Sequence, residues 1–167
     1  MRKGGSKKMN RLIRLVNFNL DDGKFALFLS AVMRIIRVVE ITSLPKAPEI
    51  VLGVINMHGL IISVFDIRKR FQLPQREMQL GDQLIIASTS KRTVALLVDS
   101  VNDVIEIPEE KNIAGEKILP GLEYVEGVVK TEDGMILIHD LEQFLSLQEE
   151  KALYEAMEEL NRNERKD

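Results

Sequence analysis

The sequence predicts a mainly β protein built as two small barrels, with short helical turns and a C-terminal α-helix. Three observations carry that reading. The chain repeats itself: residues 26–38 return as residues 95–107 with their apolar positions in register, the Glu49–Ile55 stretch returns at Glu123–Val129, and Asp66-Ile67 returns as Asp140-Leu141, all in the same order. Between these landmarks lie short β-branched and aromatic runs broken by Gly, Pro and Asp, with no long helix between them, a pattern of antiparallel strands and not of a parallel sheet. After Ser146 the apolar spacing changes to that of a helix. A repeat of this length implies two related supersecondary units that bury their apolar faces together, and a seam between them where a partner could lie.

The elements follow in order. Residues 12–38 read as a hairpin turning at Asp21-Asp22-Gly23 and a third strand, because turn residues interrupt otherwise apolar runs. Residues 51–56 and 60–65 form the next hairpin around Met57-His58-Gly59; Asp66 then opens a short helical turn over residues 67–71, stopped by Leu73-Pro74-Gln75. The second unit repeats the order, with strands over 84–87, 93–98 and 101–107, a loop through Pro108 and Pro120, and a hairpin of residues 125–130 and 135–139 around Glu132-Asp133-Gly134. A short helix is expected after Asp140. Leu153, Ala156, Met157 and Leu160 share one face of a helix over residues 147–162, expected to pack on its own barrel. The chain thus divides into a basic flexible tail (1–11), a double-barrel body (12–147) and a C-terminal helix with its tail (148–167).

Composition narrows the chemistry. The 167 residues are 45% hydrophobic and 29% charged, enough to bury a real core. Without cysteine there is no disulfide, thiolate nucleophile or thiolate metal site. No apolar run approaches the roughly 20 residues that cross a bilayer, and no signal-peptide core follows the basic start, so a cytoplasmic protein without membrane insertion is expected. The net charge of −3 argues against a body-wide nucleic-acid footprint. The basic tail reads as a solvated end.

Candidate catalytic groups are scattered. Asp66 and Asp140 occupy equivalent repeat positions before helical runs, where a carboxylate caps backbone N–H groups. His58 and His139 are the only histidines, one in a hairpin turn and one at a strand end, with no spacing that builds a metal or acid–base cluster. No phosphate-cradling loop or nucleophile elbow is present. No enzyme, no cofactor and no metal is expected. Asn56 and Gly59 suit a tight turn that presents its neighbours outward.

The stretch from Gly53 to Ile67, with Asn56, Gly59, Val64 and Asp66, resembles the signature of CheW-like domains, the bacterial chemotaxis coupling proteins, whose pattern runs Gly-x-x-Asn-x-Arg-Gly, three residues, Pro-Val-x-Asp-Leu. The resemblance continues through residues 44–49, 96–101, 105–110 and 119–122 and covers about residues 12–147. It implies two intertwined SH3-like five-stranded β-barrels, and a non-enzymatic adaptor that couples the cytoplasmic tip of methyl-accepting chemoreceptors to the regulatory domain of a CheA-type histidine kinase, at membrane-associated receptor arrays. Receptor engagement in the family uses a groove between barrels, which by this resemblance Val32, Val98 and Val101 help to line.

Three residues depart from the family pattern, and two of the positions, 58 and 34, belong to the surface that the resemblance assigns to partners. His58 stands where the family commonly has Arg, and Ser63 where it has Pro; in the third strand Arg34 stands where the family often has Glu. A fork-shaped permanent cation becomes an imidazole, and an acid becomes a base. Charge reversal at an interface alters partner choice more than fold, so the expected partner carries an acid facing Arg34. The alternatives are a CheW-like scaffold in a chemosensory pathway controlling pili or surface motility, and, from another class, a small barrel binding nucleic acid through its basic tail. The latter predicts stacking aromatics on a basic strand face.

Overall fold

The computed structural model describes residues 11–113 and 123–166. The basic stretch at residues 1–10 and the loop around Pro120 lie outside the described residues. Among the described residues, eleven strands and one α-helix run in the order β1 (Leu12–Leu20), β2 (Gly23–Phe28), β3 (Val32–Arg37), β4 (Val51–Met57), β5 (Leu60–Phe65), β6 (Gln83–Ser88), β7 (Thr93–Val98), β8 (Ser100–Pro108), β9 (Asn112–Ile113), β10 (Val125–Thr131), β11 (Gly134–His139) and α1 (Leu147–Lys166).

The two repeat units do not each form a barrel. One sheet has the order β8-β1-β2-β11-β10-β9 and the other β3-β6-β7-β5-β4. Each sheet therefore takes one hairpin, β1–β2 or β6–β7, from one unit and its remaining strands from the other: β3 leaves the β1–β2 hairpin to join β6, and β8 leaves β6–β7 to join β1. The exchange obeys the repeat, since β3 and β8 are equivalent strands. This is the intertwined arrangement that the family resemblance implies, and the two-residue strand β9 is an addition to its five strands. The pairing is antiparallel with one exception per sheet, β2 with β11 and β5 with β7, which corrects the expectation of purely antiparallel barrels. A hairpin pairs its own two strands, but a strand inserted from the other unit meets its neighbour in whatever direction the crossover delivers it.

Three apolar clusters follow from this topology. Ile55, Ile62, Val64, Leu84, Ile86 and Ala95 fill one barrel, and Leu15, Ala26, Val129, Ile136 and Ile138 fill the other. The third and largest joins Phe18, Phe25 and Leu27 of one sheet to Phe65, Ile85 and Leu96 of the other, with Leu153 and Ala156 of α1 against them. The helix thus packs on its own barrels, as its apolar stripe predicts. Ser63 is buried beneath it and donates its hydroxyl to Met157 Sδ at 3.7 Å.

Two expected elements are shorter than the sequence predicts. The helical run after Asp66 is a single 3-10 turn, Ile67–Lys69. No helix follows Asp140; residues 141–145 form bends. Both aspartates nonetheless accept backbone N–H groups: Asp66, the N-cap of the 3-10 turn, through Oδ1 from the Arg68 N–H, and Asp140 through Oδ1 from those of Glu142 and Gln143. Arg70 Nε also reaches the Phe144 carbonyl at 2.6 Å. Local polar groups are thereby satisfied without a helical ladder.

Candidate partner-binding surfaces

The β4–β5 hairpin closes through a two-residue turn, His58-Gly59, with positive φ at both (54° and 90°), the geometry whose twist matches paired strands. Asn56 Oδ1 accepts the Gly59 N–H at 2.8 Å. Asn56 and Gly59 therefore shape the turn, and what the turn presents is the exposed His58 side chain beside Leu60, itself 51% exposed. At the base of this hairpin Gly53 has φ 152°, and a Cβ there would lie 2.2 Å from the Thr42 carbonyl oxygen. Only glycine lets the Thr42 segment approach.

The crossover strands β3 and β8 form a second surface. Val32 and Val101 pack half-buried against the inter-barrel cluster. Ile36 and Ile105 point into opposite barrels. Between them Met33, Arg34 and Ile35 on β3, and Asn102, Asp103 and Val104 on β8, are exposed. Val98, at 1% exposure, lies inside the inter-barrel cluster. It shapes the seam from within, while Val32 and Val101 reach its edge. The Val101 N–H donates to Gln83 Oε1 at 2.8 Å, tying β8 to β6 where it changes sheet.

Beneath these surfaces is a charged network that the sequence reading missed. Arg68, with 6% of its side chain exposed, donates to Asp21 Oδ1 at 2.8 Å and Asp99 Oδ1 at 2.6 Å. Arg76 bridges Asp99 and Asp82, and the Asp21 N–H donates to Asp99 Oδ2 at 2.6 Å. Asp21 belongs to the β1–β2 turn of one barrel and Asp99 to the β7–β8 link of the other, so the network clamps the two where the chain crosses. Burial opposes charge on Asp99, but hydrogen bonds from Arg68, the Asp21 backbone and Arg76 outweigh it and hold the carboxyl below its ordinary range. For Arg68, burial again opposes charge and bonds to Asp99 and Asp21 overcome it, raising its pKa.

The remaining titratable candidates do not converge. His139 is buried between Phe71 and Phe144, with ring centroids 5.5 and 5.2 Å away. Burial, helped by the charge of Arg70, lowers its pKa to about 3, so the ring is neutral. His58 sits on an exposed hairpin tip, and among the described residues no group of three or more His, Asp or Glu is placed to hold a metal. All six Phe are buried or half-buried, and the exposed aromatic Tyr154 lies on α1 and not on a strand face. Among the described residues no helix is long and apolar enough to cross a membrane.

Against known proteins, the sequence profile of the CheW-like domain matches residues 14–149. The chain is 29% identical over 140 residues to the chemotaxis protein CheW of Rhizobium meliloti (strain 1021), covering 83% of this chain and 90% of that protein. It is 30% identical over 129 residues to the chemotaxis protein CheW of Bacillus subtilis (strain 168), covering 76% of this chain and 83% of that one. The crystal structure of scaffolding protein TtCheW from Thermoanaerobacter tengcongensis superimposes with a TM-score of 0.75 at 31% identity, over 83% of this chain and 91% of that chain.

Proposed function

The chain belongs to the CheW-like domain family of non-enzymatic chemotaxis scaffolds, and from that premise we propose that it couples the cytoplasmic tips of methyl-accepting chemoreceptors to the regulatory domain of a CheA-type histidine kinase, in the cytoplasm at receptor arrays. The observation that carries this reading is a pair of interlocked barrels presenting two separate side-chain surfaces. The Arg68–Asp21–Asp99 clamp fixes one barrel against the other, the His58 tip projects from the end of a hairpin, and β3 displays Arg34 between two exposed apolar residues. An adaptor holds partners at a fixed geometry and requires no reacting pocket.

Within that role we assign partner contact to Val32, Arg34, Asn56, His58, Gly59 and Val101, with Val98 supporting the seam from inside. Among the described residues Arg34 has no carboxylate within ion-pair distance, so its charge is available to an acid on a partner. Calorimetric titration with the CheA-type regulatory domain encoded nearest this gene tests the role. Saturable binding whose affinity shifts in Arg34→Glu and His58→Arg is expected. Absence of binding to every kinase regulatory domain of that genome contradicts it.

A further inference from the structure

We infer that the mouth of the barrel formed by β3-β6-β7-β5-β4 binds a primary alkylammonium group, with Asp66 taking the charge and Leu52 and Met78 taking the alkyl stem. The inference goes beyond the coupling role and does not depend on it.

The strand register builds the site. Val51 lies opposite Phe65, Phe65 opposite Leu96, and Gln83 opposite both Val98 and Arg37. The starts of β4 and β6 and the ends of β3, β5 and β7 therefore meet at one end of the barrel. Asp66, Asp82 and Asp99 each stand one residue beyond a strand at that end. Barrel mouths are common places for ligand sites. Here the three carboxylates, with Arg68 and Arg76, line a cleft of about 230 Å³ whose apolar wall is Ile41, Leu52, Met78 and Leu97. Drug-sized ligands occupy roughly 300–1,000 Å³, so this cleft suits a group of side-chain size.

Charge selects the group. Arg68 is engaged by Asp99 and Asp21, and Arg76 by Asp99 and Asp82. An anionic ligand would have to displace those carboxylates. Asp66 differs from the other two acids. Only 5% of it is exposed, its Oδ1 accepts the Arg68 N–H at 3.2 Å, and its Oδ2 has neither a hydrogen bond nor a cation among the described residues. Three carboxylates thus face two guanidiniums in the lining, and Asp66 is the one left over. A buried charge without a partner is costly, and a charge-assisted hydrogen bond from an ammonium relieves it. Leu52 and Met78, 37% and 45% exposed, leave apolar surface in water in the same cleft, which suits methylene groups and not a bare ion. The competing reading is an Asp66 that only caps its turn, with water on Oδ2, and it predicts no binding.

The butylammonium ion and the side chain of acetyl-lysine methylamide share this chemistry. Titration of each into the isotope-labelled full chain at constant ionic strength, followed by amide NMR shifts, separates the two readings. The proposal expects saturable millimolar binding of at least one, with the largest shifts at Leu52, Asp66 and Met78. Saturation by the lysine derivative alone identifies a lysine of a polypeptide as the source, saturation by butylammonium alone a free amine, and saturation by both a site that reads only ammonium and stem. Butyrate, with a similar stem and the opposite charge, should not saturate. Asp66→Asn keeps a capping acceptor and should weaken binding about tenfold or more, the loss of one charged hydrogen bond. Met78→Ala should weaken it severalfold through lost apolar contact. Circular dichroism establishes that each variant is folded. Shifts that stay linear for both amines, butyrate that binds as well as they do, or an Asp66→Asn that binds like wild type overturns the proposal. Should Asp66→Asn not fold, Met78→Ala decides, and wild-type affinity there overturns it.

Discussion

A guanidinium with only 6% of its side chain exposed must be matched by acceptors, and Arg68 is matched by Asp21 and Asp99. Removing one partner of a buried pair leaves the other charge stranded, so Arg68→Ala should lose about 3–5 kcal/mol in urea denaturation. Arg34→Ala, at an exposed residue without an ion-pair partner among the described residues, should stay within about 0.5 kcal/mol. A similar loss for both would show that the network does not hold the barrels. His139 gives a pH dependence. The unfolded chain takes up its proton near 6.5 and the folded one only near 3, so stability is full above about 6.5 and falls as pH drops through that window. His139→Phe should flatten this slope in melts taken across the window. Glu126 has the opposite sign. Although solvent reaches it, local burial and then the charges of Asp140 and Glu142 raise its carboxyl from 4.5 to about 7. The folded state therefore holds the extra proton, and stability falls as pH rises from 4.5 to about 7. Glu126→Gln should stabilise the protein above that window and leave it unchanged below, by less than about 1 kcal/mol given solvent screening. An equal effect at both ends would remove the electrostatic cause.

At the scale of elements, α1 begins with a capping box: the Glu149 N–H donates to Ser146 Oγ at 3.1 Å, and Glu149 Oε1 accepts the Ser146 N–H at 2.8 Å. Ser146→Ala should cost about 1 kcal/mol, read as a lower melting temperature with unchanged helix content; no shift would mean that the docking contacts alone hold the start of the helix. The start of the helix was legible only as the change of apolar spacing after Ser146, and its cap was not read. The hairpins were legible for a related reason, because Asp21-Asp22 and His58-Gly59 interrupt β-branched runs with residues that accept tight-turn geometry. The stretch after Asp140 was not. Leu141 and Phe144 are spaced as on a helix and both are buried, but Arg70 and the Asp140 carboxylate satisfy its backbone from outside, and local periodicity carries no record of distant partners. Arg68 was missed for the same reason: a charged residue in a polar turn reads as solvated until the fold brings Asp21 and Asp99 to it. Around the candidate site, the tight turn at Asn56 and Gly59 was legible as local geometry, while the depth of Val98 could not be read from the continuous apolar run of β7.

At the scale of the molecule, the repeat announced two related units but not that each barrel is assembled from both. Strand exchange depends on which edges meet after collapse, and apolar alternation is identical for either partner. The exchange has a thermodynamic consequence. Since neither unit can complete a barrel alone, and the largest apolar cluster joins both sheets and α1, unfolding should be one cooperative transition. Tryptic cleavage and calorimetry should find no stable single-barrel fragment, and a two-step melt would contradict the interlocked core. The same interlocking keeps the hairpin tip and the crossover strands at a fixed separation, which is what a coupling scaffold needs. The direct test is reconstitution: vesicles carrying the cognate chemoreceptor signalling domain, the CheA-type kinase, and this protein present or absent. The account predicts that the kinase sediments with the vesicles only when this protein is added, and less so with Arg34→Glu; kinase recruitment indifferent to its presence would contradict the coupling role.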